Sequence, residues 1–154
     1  MKPGVQTKTR RDADDSPLLA ELRKAHADLL AAIAALDRLT HGPLPARERL
    51  VETRWKVSEA SLSRRLLWGR IQMALSPRAG PHDRDELRRL QDIDIELLHA
   101  STEHVARWTA QSIMDDWSGY GRASRLMRTR MKAGIAAEQE LLYPILRRLD
   151  PSAH

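Results

Sequence analysis

Apolar residues recur at intervals of three and four along most of the chain and nowhere alternate with period two for long. That spacing places them on one face of a helix, so the pattern predicts an all-α protein. Proline divides the chain into elements. It stands at positions 3, 17, 43, 45, 77, 81, 144 and 151, leaving 18–42, 46–76 and 82–143 free of its helix-breaking ring. A first helix is predicted from Ser16, a side-chain cap followed by Pro17, to Gly42, a stop expected in the left-handed conformation. A second covers about 45–75. The loop 76–82 then reverses the chain, and Asp83 with Glu86 reads as a capping box for a third helix reaching about Trp108. The stretch 109–117 suits a short extra helix. The last helix runs from about 118–121 to Leu149, with Pro144 kinking or shortening its final turns. Four long helices with short connections predict an antiparallel up-down-up-down four-helix bundle over 16–150, after a disordered tail over 1–15.

At about 100° per residue, a helical wheel shows which polar side chains face the interior. His26 falls within the first seam, beside Leu22, Leu29 and Ile33. On the third helix the arc of Leu87, Leu90, Ile93, Leu97, Leu98, Val105 and Trp108 contains Asp94, Ser101 and His104, and His99 faces away. On the last helix the arc of Met127, Met131, Leu142 and Ile145 contains Gly134 and Glu138. The second helix carries two apolar stripes. One, Val57, Ala60, Leu67, Trp68, Ile71 and Leu75, has Arg64 at its centre; the other holds Val51, Trp55, Leu62, Leu66 and Met73. Buried polar groups are costly unless paired, so a core polar cluster of His26, Arg64, Asp94, His104 and Glu138 is expected, with Arg64 paired to Glu138 or Asp94. The second stripe cannot enter the same core. It is expected to be the interface of a homodimer, or to be covered by the tail or by the 109–117 segment.

Composition narrows the function. The 154 residues fit one domain, and 42% hydrophobic with 31% charged residues excludes a disordered chain. No apolar run approaches the roughly 18 residues of a membrane span, and 1–15 lacks the apolar stretch of a secretion signal, so a cytoplasmic location is expected. Without cysteine there is no disulfide, thiolate metal site or cysteine nucleophile. The net charge is +5, but only 5 of the 26 basic residues are Lys. That Arg bias suits a GC-rich bacterial genome as well as a phosphate-binding surface. The interval 117–137 carries Arg122, Arg125, Arg128, Arg130 and Lys132 with no acid, yet a solvated helix face is the plainer reading, and nucleic-acid association stands as a secondary alternative. No nucleophile-and-base pair and no glycine-rich phosphate loop is present, so a non-enzymatic role is expected.

Two segments resemble the hemerythrin-like (HHE cation-binding) family of four-helix bundles. Gly134-Ile135-Ala136-Ala137-Glu138-Gln139-Glu140-Leu141-Leu142-Tyr143-Pro144-Ile145-Leu146 is similar to the family's last-helix stretch His-Ile-x-x-Glu-Glu-x-x-Leu-(Phe/Tyr)-Pro-x-Leu, and Leu22 to His26 to its single first-helix His. The family holds two irons through that His, His-x-x-x-Glu on the second helix, His-x-x-x-His on the third, and a His and a carboxylate on the fourth. Carried onto this chain, the resemblance retains His26, His104 and Glu138. It meets Ala60 and Arg64 (or Ser61 and Arg65), Ala100 and Gly134 at the other positions. The guanidinium of Arg64 would repel a cation in that cavity. The resemblance therefore implies a hemerythrin-like bundle with an eroded di-iron site and no cofactor, serving as a regulatory or interaction module. The alternative it implies is one iron retained by His26, His104 and Glu138.

Overall fold

The structure, a computed structural model, describes residues 16–151. The tail expected to be disordered lies outside the described residues. Within them the chain is all-helical: α1 Pro17–His41, α2 Arg47–Leu75, α3 Pro81–Arg107, α4 Ala110–Asp115 and α5 Trp117–Leu149. No helix is long and apolar enough to cross a membrane among the described residues.

Each helix starts for a local reason. The Ser16 hydroxyl accepts from the Leu19 amide and Pro17 occupies the first turn of α1. Gly42 stops α1 without turning left-handed: its φ is −94° and ψ −175°. The following Pro43 accounts for this, because a residue before proline is driven to extended backbone. The Gly42 carbonyl is held by the Trp117 indole at 3.0 Å. The expected capping box does not form. Pro81 opens α3 two residues earlier than Asp83, with Gly80 at the cap and no side-chain cap bond. Asp83 instead receives both guanidinium nitrogens of Arg148, at 2.8 and 3.2 Å. Asp116, unremarked in the sequence, caps α5 by accepting from the Gly119 amide at 2.9 Å, so α5 begins at Trp117. Pro144 sits inside α5, which continues to Leu149.

Close packing joins α1 to α2, α3 to α5 and α1 to α5. One apolar cluster gathers Leu19, Leu22, Trp68, Ile71, Leu90 and Leu142. A second holds Leu29, Ile33, Met127, Met131 and Ile135, and a third Leu50, Trp108, Ile113 and Tyr120. Each fully buried Leu or Ile among them contributes roughly 1.5–3 kcal/mol. The short α4 delivers Ile113 to the third cluster, where it covers Leu50 rather than the second α2 stripe. That stripe stays exposed, at 49% for Val51, 65% for Trp55, 51% for Leu62, 64% for Leu66 and 80% for Met73. The α3 arc is also less covered than its periodicity predicts. Leu87, Leu90 and Trp108 are buried, whereas Leu98 and Val105 are exposed, because α3 faces α2 across an open cleft at this end.

Candidate functional site

Four buried or nearly buried polar side chains meet where the long helices converge: His26 from α1, Arg64 from α2, Asp94 from α3 and Glu138 from α5. Helical periodicity aims them inward. His26 lies four residues from Leu22 and three from Leu29, and Arg64 three from Leu67 and four from Trp68, all of them buried. Glu138 is shared. One of its oxygens accepts from Arg64 Nη1, and the other lies 2.5 Å from His26 Nε2. Arg64 Nη2 donates to Asp94. The second nitrogen of His26, Nδ1, is 2.6 Å from the Tyr143 hydroxyl, and the two rings stack with centroids 5.6 Å apart. The network is satisfied throughout if Nε2–H donates to Glu138 and the Tyr143 hydroxyl donates to Nδ1. The Arg23 guanidinium lies 4.7 Å from the centre of the Tyr143 ring.

His104 stands apart from this group. It lies ten residues along α3 from Asp94, about 15 Å of helix axis, and stacks instead on Tyr120 at 5.9 Å between centroids. The expected five-residue cluster is therefore a tetrad plus a separate His, and His26, His104 and Glu138 do not converge. Burial, reinforced by the charges of Arg54 and Arg128, lowers the His104 pKa below that of an ordinary imidazole. No group of three or more His, Asp or Glu side chains suited to a metal ion occurs among the described residues. The donor set does not fit a di-iron centre either: the guanidinium of Arg64 occupies the Glu138 and Asp94 oxygens that a cation would need. Gly134, where the resemblance expected a His, packs beside Leu97; a Cβ there would lie 3.4 Å from Leu97 Cδ2.

Two participants were not read from the sequence. Tyr143 falls within the quoted Leu-Leu-Tyr-Pro stretch, but its bond to His26 joins residues 117 apart, which no local pattern announces. The sequence pattern places Arg128 on the solvated basic face, yet it is buried and bonds Ser124 at 2.6 Å and Asp37 at 3.2 Å. Its spacing of four from Ser124 and three from Met131, both buried, carried that signal.

Comparison with known protein families, with curated proteins and with solved structures finds no match for this chain.

Proposed function

We propose that this chain is an antiparallel four-helix bundle of hemerythrin-like descent, in which an ion-pair tetrad stands where the family binds iron, and that it works as a non-enzymatic regulatory or interaction module. The observation that supports this reading most is Arg64, a buried guanidinium bridging Glu138 and Asp94 from two other helices. Interior positive charge in that place holds the inward carboxylates as a metal would and makes a cation redundant. The contact surface of the module is the apolar stripe of α2, and a second copy of the chain is the partner it suits: one continuous helix face, self-complementary about a twofold axis. Elemental analysis of untagged protein purified from iron-supplemented cells tests the metal part of the reading. Less than a tenth of an equivalent of iron per chain is expected on the order-of-magnitude argument that a buried guanidinium excludes a cation. A stoichiometric yield of two irons, with visible absorption, would overturn it.

A further inference from the structure

The cleft between α2 and α3 has a volume of about 510 Å³ and is floored by Leu36 of α1 and by Tyr120, Met127 and Met131 of α5. This is within the roughly 300–1,000 Å³ range of pockets that enclose small organic molecules. Its walls are apolar over most of their area, with Val51, Trp55 and Val57 on one side and Leu98 and Val105 on the other. The polar groups among them are selective. Arg54, Arg65, Arg128 and His104 line the cleft together with the hydroxyls of Ser58, Ser61, Ser101 and Ser124, and no Asp or Glu does.

The cations differ in how far they are satisfied. Arg128 is bonded to Asp37 and Ser124. Arg54 lies 5.6 Å from the centre of the Tyr120 ring. Arg65 has no carboxylate partner among the described residues, and its Nε–H is buried without a hydrogen bond. A buried donor left unpaired in a site already crowded with positive charge is a standing cost that an anion would remove. Arg65 also lies three helical turns from Arg54, about 16 Å along α2, so the two mark opposite ends of an elongated apolar trough.

We propose that this cleft binds an amphipathic organic carboxylate, whose acid group pairs with Arg65 and whose apolar body lies between Trp55, Leu98 and Met131. Arg54 and Arg128 add a positive field that selects the anion over neutral and cationic compounds of the same shape. The apolar walls select an organic acid over inorganic anions. This assignment does not rest on the hemerythrin-like reading, because none of the tetrad residues lines the cleft.

Calorimetric titration of the full chain with decanoate, and separately with decanol, tests it. One equivalent of decanoate should bind with Trp55 fluorescence changing in step, and decanol should bind at least about tenfold more weakly, the scale of one charge-assisted pair. Arg65→Gln should weaken decanoate by about tenfold or more, with decanol unchanged. Arg54→Gln should weaken it less, and Arg122→Gln, outside the cleft, should leave it unaltered. Circular dichroism of each variant shows that it is folded. The proposal is overturned by equal affinity for decanoate and decanol, which would indicate a bare apolar patch. It is equally overturned by a folded Arg65→Gln protein that binds decanoate as the parent does, or by no binding at millimolar ligand.

Discussion

Arg64 and Glu138 are 74 residues apart in the chain and meet as a buried ion pair, with exposures of 6% and 7% for their side chains. The pair joins α2 to α5, and Asp94 and His26 extend it to α3 and α1, so one polar group ties all four long helices at a single level. Removing Glu138 alone leaves Arg64 with Asp94 only and His26 without its carboxylate. Glu138→Leu should therefore destabilise the fold by about 3–5 kcal/mol, while Arg64→Met combined with Glu138→Leu should cost less than the sum of the two single changes. Urea unfolding of the two singles and the double measures the coupling. Strictly additive effects would mean that the pair contributes nothing beyond its separate side chains.

Gly119 is fixed by the cap it serves. A Cβ at this position would lie 2.2 Å from Oδ2 of Asp116, whose other oxygen accepts from the Gly119 amide. Asp116 can swing clear, but only by releasing the first turn of α5. Gly119→Ala should cost about 0.5–2 kcal/mol, the worth of an N-cap, and should add almost nothing to Asp116→Ala. Thermal melts of the two singles and the double decide it, and full additivity would show that the two residues act separately.

Asp83 and Arg148 supply a pH signature. The hydrogen-bonded guanidinium of Arg148 is the main cause holding the Asp83 carboxyl below the ordinary carboxylate range, against the opposing effect of burial. A carboxyl with a depressed folded pKa stabilises the fold above its unfolded value of about 3.9 and loses that contribution as pH falls through the lower folded value. The melting temperature of the parent should therefore fall more steeply between about pH 4 and pH 2 than that of Asp83→Asn. Parallel curves for the two proteins would remove the pair from the acid response.

The sequence was most legible where periodicity and capping act locally. The Ser16 cap, the seam from Leu19 to Leu36 and the inward aim of His26, Arg64 and Glu138 follow from spacing alone, because positions three and four apart share a face whatever the helix packs against. What depends on how far apart two helices stand was not legible. His104 has the same inward phase as Asp94, but phase does not give height along the axis, and ten residues of α3 separate it from the tetrad. Leu98 and Val105 share that arc and are exposed, since α3 stands away from α2 at this end. Gly42 shows a local rule overridden by its neighbour: the usual left-handed stop yields to the constraint of Pro43.

The second stripe of α2 carries the remaining prediction. Val51, Trp55, Leu62, Leu66 and Met73 are all about half or more exposed, and α4, which was expected as one possible cover, packs on Leu50 instead. Five exposed large apolar side chains along one helix face are a feature that monomers seldom present to water. Pairing α2 with its symmetry mate would bury the ridge against itself, with Leu62 at its middle, Leu66 one turn further on and Met73 at one end. Light scattering at micromolar concentration should give about twice the mass of one chain, and Leu66→Glu should return it to a monomer by placing two like charges across the axis. Trp55 belongs both to this ridge and to the rim of the cleft, so its quenching by acrylamide separates the two roles. In the Leu66→Glu monomer the quencher should reach Trp55 freely, and decanoate should then protect it. A monomeric parent with Trp55 already freely quenched would sink the dimer while leaving the cleft to be judged by its own titration.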